Sequence, residues 1–201
     1  MNYFRIISLF ILIFQFNQIY AITWTGAIDN DWHNPGNWDT GVLPTLGDDV
    51  FFLADAQAVI SSTTKFRSLF LDDNRVIIIK ILSGALMSID GELAGRDGIF
   101  LGVGTEIQND GSIVINNLNS GSQEAIENFG TISNSGSIGI GIVFLTGTSF
   151  DEECIYNRFG GRIDNFGTIT IADSEMRGIN NDGVIDNKGG GTITIASSVD
   201  D

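Results

Sequence analysis

The sequence holds one cysteine, one histidine and two prolines among 201 residues. One cysteine closes neither an internal disulfide nor a thiolate metal cage, so packing and hydrogen bonding must hold the chain together. A lone imidazole without a thiolate pair excludes a zinc site of usual composition, and His33 is expected as a surface or cap residue. Basic residues are scarce too: 10 Lys and Arg against 25 Asp and Glu give a formal charge of −15 and a pI near 4.1. A nucleic-acid partner requires clustered cations to displace phosphate counterions, so that class is excluded, as is an anionic membrane surface. Charged residues make up only 17% against 43% hydrophobic, which excludes a disordered chain and suits one domain with a sizeable core.

Residues 1–21 read as a secretory signal. Arg5 supplies the positive start, Ile6 to Phe16 is apolar apart from Ser8 and Gln15, and Ile19-Tyr20-Ala21 offers a cleavage site. The apolar stretch of about eleven residues is short of the roughly twenty that span a bilayer, which favours export over a membrane anchor. Removal of the leader takes away only Arg5, leaving 9 basic against 25 acidic side chains, a charge of −16. No second apolar stretch of spanning length follows, so no membrane insertion is expected after cleavage.

From residue 109 one phrase recurs: Asn109-Asp110-Gly111-Ser112-Ile113-Val114-Ile115, Asn134-Ser135-Gly136-Ser137-Ile138-Gly139-Ile140, Asn165-Phe166-Gly167-Thr168-Ile169-Thr170-Ile171 and Gly189-Gly190-Gly191-Thr192-Ile193-Thr194-Ile195. Its closing isoleucines lie 25, 31 and 24 residues apart, the period range of stacked repeats. A second phrase precedes the last three, as in Asn128-Phe129-Gly130-Thr131-Ile132, so each period is read as two short strands and two glycine corners. Isoleucines alternating with small polar residues give the period-2 pattern of a strand with one buried face, while Asn, Asp and Gly are read as residues that tolerate left-handed corners. Ile113, Ile138, Ile169 and Ile193 are expected to stack at the roughly 4.8 Å spacing of parallel strands, in about six coils. The predicted fold is all-β, a right-handed parallel β-helix (solenoid) over residues 54–201, with an N-terminal aromatic cap over 22–53.

The head holds all three tryptophans and both prolines, and large rings with N–H handles suit the covering of a first coil. Exposed, the same rings would stack on sugars, which makes Trp32 and Trp38 candidate glycan contacts.

The head Trp24-x-Gly26, Trp32, Asn37-Trp38, Pro44 and Asp48-Asp49-Val50, followed by Ser68-Leu69 and the Asn-x-Gly-x-Ile phrases, resembles secreted bacterial β-helix proteins of autotransporter-passenger and adhesin-like type. The resemblance covers essentially the whole chain after the leader. It implies a stalk or adhesive surface built on a β-helix, and it implies fold more firmly than activity.

Acid and base chemistry is thin. Asp48-Asp49, Asp72-Asp73 and Glu152-Glu153 are sequence neighbours that an extended segment points to opposite faces, so they read as solvated turn acids. The longest period contains an apparent insertion over Thr146 to Arg158, read as a loop and the best local site, with Asp151, Glu152, Glu153 and Tyr156 as candidate ligand contacts. A solvated acidic loop is preferred there over Ca2+, and Cys154 is expected to be a buried thiol. Gly160-Gly161-Arg162-Ile163-Asp164 lacks the tandem Gly-Gly-x-Gly-x-Asp of calcium β-rolls, and threonines at 168, 170, 192 and 194 reflect β-propensity. No metal and no cofactor are therefore expected.

After Ile195 no capping helix or aromatic cluster is legible, so the chain is expected either to be the front of a longer protein or to dock another protein chain on an open last coil. The expected function is a secreted or cell-surface structural or adhesive module without catalysis, contacting glycans or protein. The alternative is a polysaccharide-acting lyase or hydrolase, which requires basic residues beside acids on adjacent coils, drawn from Lys80, Arg96, Arg158 and Arg162.

Overall fold

A computed structural model of the protein describes residues 20–90, 97–116, 124–141, 153–172 and 177–196. Among the described residues nineteen strands form three parallel sheets around one core. The first sheet contains β1 (Tyr20–Thr23), β2 (Asp48–Phe52), β5 (Ser68–Leu71), β8 (Ile99–Leu101), β11 (Ile126–Asn128), β14 (Glu153–Asn157) and β17 (Arg177–Asn181). The second holds β3 (Ala56–Ile60), β6 (Ile77–Ile81), β9 (Thr105–Asn109), β12 (Thr131–Asn134), β15 (Arg162–Asn165) and β18 (Val184–Asn187). The third holds β4 (Thr64–Phe66), β7 (Leu86–Asp90), β10 (Ser112–Asn116), β13 (Ser137–Ile140), β16 (Thr168–Ile171) and β19 (Thr192–Ile195). Every third strand pairs, so β2 to β19 wind six coils of a β-solenoid.

The expected ladder is present. Ile113, Ile138, Ile169 and Ile193 are register partners on the third sheet, and Ile107, Ile132, Ile163 and Ile185 on the second. The period differs from the expected count, since each coil carries three strands rather than two. The extra strand is the short first-sheet one, such as Ile126-Glu127-Asn128, whose charged residues hide its alternation.

The recurrent asparagines are not left-handed corners. Among the described residues Asn74 is the one non-glycine with positive φ. Asn109, Asn134, Asn165 and Asn187 stack instead, each side-chain Nδ2 donating to the Oδ1 of the next at 2.8, 2.7 and 2.7 Å. Asn128, Asn157 and Asn181 form a second such ladder at 2.7 and 2.7 Å. Both ladders run inside the corners, where a buried amide persists only with its donors and acceptors matched.

The head closes the first coil. Trp24, Trp32, Trp38, Phe52 and Phe66 form one ring cluster, with Trp32 and Trp38 edge to face at 4.8 Å. Trp32 Nε1 donates to Thr64 Oγ1 and Trp38 Nε1 to the Trp32 carbonyl, both at 2.9 Å. The buried Asn37 accepts the N–H groups of Ile28 and Asp29 and donates to Asp29 and the Asp31 carbonyl. β1 covers the outer edge of β2, and an Asp31–Val59 bridge covers that of β3, so the head shields exposed ladders from further pairing. β2 lies within residues 22–53 yet already belongs to the first coil.

Candidate functional site

The site grows from the entry of the first sheet. Leu69, Ile99, Ile126, Ile155 and Ile179 are inward register partners on β5, β8, β11, β14 and β17. Two residues before the first four of these stands a charged side chain: Arg67, Asp97, Glu124 and Glu153. Parallel stacking at about 4.8 Å places such positions directly over one another, so three successive acids share one column.

Carboxylate oxygens of Asp97, Glu124 and the outward Glu127 of β11 all lie within 4.8 Å of one another. The Glu124 backbone N–H donates to Asp97 Oδ1 at 3.0 Å. Arg158, just after β14, donates from Nε to Glu127 Oε1 at 2.7 Å, places Nη2 2.6 Å from the same oxygen, and lies 3.6 Å from Glu124 Oε1. Its guanidinium also rests over the Tyr156 ring, 3.4 Å from the centroid. Tyr156 Oη donates to Asp182 Oδ2 at 2.8 Å, and Asn180 Nδ2 to Glu153 Oε1 at 3.1 Å. Glu124 is 7% exposed, and its Oε2 is buried without a hydrogen-bond partner.

Burial dominates the electrostatics. Desolvation pushes the Asp97 carboxyl up to about 6, helped by the Glu124 charge. Glu124 is raised by burial and by the charge of Glu127, and Glu127 by burial and the charge of Asp97, with Arg158 opposing both. Acids held this way take up either a proton or a cation more readily than surface carboxylates. Beside them on the outer face of the same sheet runs an aromatic strip: Phe51 and Phe70 at 5.7 Å, Phe70 and Phe100 stacked at 4.8 Å, Phe100 and Phe129 at 5.8 Å.

The residues singled out from sequence fall elsewhere in part. Trp32 and Trp38 are 0% and 3% exposed and form the cap core, so neither presents a free face to a sugar. Asp151 and Glu152 lie outside the described residues. Glu153 to Asn157, read as loop, is the strand β14, because Ile155 points inward and Tyr156 outward in ordinary alternation. That places Glu153, buried, and Tyr156, half-buried, at the rim of the carboxylate cluster. Cys154 is buried.

Asp48 and Asp49 are not solvated turn acids. Asp49 accepts two bonds from Arg67, at 2.8 and 2.7 Å, and one from Ser68 at 2.6 Å, while Asp48 Oδ2 accepts the N–H and hydroxyl of Thr45. His33 is half-buried, with Nε2 3.0 Å from Ser62 Oγ. The hollow lined by His33, Pro44 and Lys65 shares no residue with the acid cluster. Sequence reasoning missed Asp97, Glu124 and Glu127 because 27 residues separate the first two. A signal was present in the phrases Asp97-Gly98-Ile99, Glu124-Ala125-Ile126 and Glu153-Cys154-Ile155, each an acid two places before the inward aliphatic.

Fold and site define a parallel β-solenoid carrying a buried carboxylate cluster on one outer edge. Comparison with known proteins returns no matching family model, no matching curated protein and no matching solved structure.

Proposed function

We propose that the chain is an exported β-solenoid that acts as a structural or adhesive module, outside the cell or at its surface, without catalysis. One observation carries this reading: pairing runs in register from β2 through β19 across six coils. A rod of this kind holds outward side chains at fixed intervals of about 4.8 Å, as a repetitive contact surface requires. The strip of Phe51, Phe70 and Phe100, continued past Glu127 by Tyr156 and Arg158, is the surface offered to glycans. The last strands β17, β18 and β19 offer edges to another protein chain.

Export is supported by the character of residues 1–21, and a bacterial, autotransporter-like surface setting by the resemblance of the head. No helix among the described residues is long and apolar enough to cross a membrane. The test is a glycan array read beside a reducing-sugar release assay on the purified chain. Retention on glycans without cleavage is the expected result, and turnover would overturn the reading.

A second reading, an enzyme acting on polysaccharide, is favoured by one contact: Arg158 reaches Glu124 and Glu127 from the next coil, the basic-beside-acid pairing such chemistry requires. Asp97, its carboxyl held near 6, is then the proton donor or acceptor. That reading requires release of reducing or unsaturated sugar ends, abolished in a folded Asp97→Asn variant.

A further inference from the structure

We propose that Asp97, Glu124 and Glu127 form a calcium site that ties the third coil of the solenoid to the fourth. Asp97 precedes β8 of the third coil, while Glu124 and Glu127 belong to the β11 segment of the fourth. This goes beyond the proposed module function and does not depend on it.

Two independent observations carry the assignment. The first is charge balance. Three carboxylates converge, and among the described side chains Arg158 is the one cation paired with them, so within those side chains negative charge exceeds positive in a buried setting. Buried charge without a counterpart is strongly unfavourable, and a divalent ion offsets it. The second is hydrogen-bond accounting. Glu124 is more than nine-tenths buried, yet its Oε2 receives no donor. A buried carboxylate oxygen with no N–H or O–H directed at it requires a partner from outside the chain, and a cation is one that also offsets the charge.

The donor set selects the ion. All three donors are hard oxygens, with neither imidazole nor thiolate in the cluster, which points away from zinc and other transition metals. Oxygens on opposite sides of Ca2+ lie about 4.8 Å apart at a bond length of about 2.4 Å, so carboxylate oxygens all within 4.8 Å of one another can share one ion. Mg2+ demands near-ideal octahedral geometry at about 2.1 Å and keeps several of its waters, so a buried cluster of three carboxylates suits Ca2+ better. Arg158 holds Glu127 through Oε1 and thereby positions that carboxylate. Glu153 adds negative potential next to Glu124.

The experiment uses the full chain, freed of calcium by chelation and titrated with CaCl2 in a calorimeter, with thermal unfolding followed in parallel. The expected result is one saturable Ca2+ per chain, with a dissociation constant on the order of 10⁻⁵ to 10⁻³ M, and a midpoint that rises with CaCl2 and much less with MgCl2. Glu124→Gln should weaken binding at least tenfold, whereas Asp110→Asn, which removes one exposed turn acid, should leave it unchanged. Circular dichroism establishes that each variant folds. Should Glu124→Gln not fold, Glu127→Gln gives the same decision. Absence of a saturable calcium heat, or equal binding by Glu124→Gln, would overturn the site. So would a rise in the midpoint of chelated Glu124→Gln with no response of the parent chain to CaCl2, because a proton would then be what neutralises the cluster. None of these outcomes depends on the glycan assays.

Discussion

Asparagine does in the later coils what isoleucine does in the earlier ones. On the second sheet the register column runs Ile60, Ile81, Asn109, Asn134, Asn165, Asn187, so a buried amide replaces a buried aliphatic in the third, fourth and fifth coils, and the last amide is exposed. Asn134 accepts from Asn109 and donates to Asn165 Oδ1 and the Thr168 carbonyl. Asn134→Ala therefore strands donors and acceptors on both neighbours, and a loss of about 2–4 kcal/mol in urea unfolding is expected.

Asp29 is the matching residue in the head. Its carboxylate is held below its ordinary 3.8 by the Asn37 amide first, then by Asn34 and the Asp31 N–H. A folded value below the unfolded one means that this stabilisation is present above 3.8 and is lost as the pH falls through the folded value. Acid should thus open the tryptophan cluster, seen as a red shift in fluorescence. Asp29→Asn should loosen the cluster at neutral pH and flatten that acid step.

Strands and corners obey a tighter rule than conformational preference. Gly111, Gly136 and Gly167 do not need positive φ; a Cβ on Gly136 would run into the Gly111 carbonyl, and one on Gly167 into that of Gly136. Coils touch backbone to backbone at this corner, so Gly136→Ala should cost about 2–3 kcal/mol by overpacking. Gly139 sits outward on β13, with the nearest atom to a Cβ at 4.0 Å, so Gly139→Ala should be neutral or slightly stabilising. Thermal midpoints of the two variants give the comparison.

Much of this level was legible beforehand. The Ser/Thr-Ile-x-Ile phrases gave the third sheet, its partners and the six coils, because burial on one face writes itself directly into alternation. The first sheet was hidden, since Glu124-Ala125-Ile126-Glu127-Asn128 and Glu153-Cys154-Ile155-Tyr156-Asn157 place acids and amides where a strand is expected to show alternating aliphatics. Buried acids look like solvated ones until the coil length is known, and only then do Asp97 and Glu124 come into line. The asparagines carried a readable sign in their recurrence at one phase of the repeat, but turn preference gave the more familiar explanation.

At the scale of the whole rod, stability is a sum of coil terms and nearest-neighbour interfaces. β8 to β13 have coils on both sides, while β17 to β19 pair on one side only among the described residues, and Ile195 is 49% exposed. Amide hydrogen exchange should therefore be slowest in the third and fourth coils and fastest in β17–β19, with calcium slowing exchange across β8 and β11 most. A protein partner bound to the last coil would erase that gradient at its exposed edge.

The two amide ladders are also directional. Every Nδ2 from Asn109 to Asn165, and from Asn128 to Asn157, donates toward the following coil and none toward the preceding one. The pile of coils is thus vectorial with unlike ends: indole rings seal the first coil, and in the last described coil Asn187 turns its Nδ2 back to the Gly191 carbonyl. Winding can be seeded from the sealed terminus and copied outward, each finished turn serving as the template for its successor, and a chain deprived of its tryptophan plug would lose the place where that copying starts.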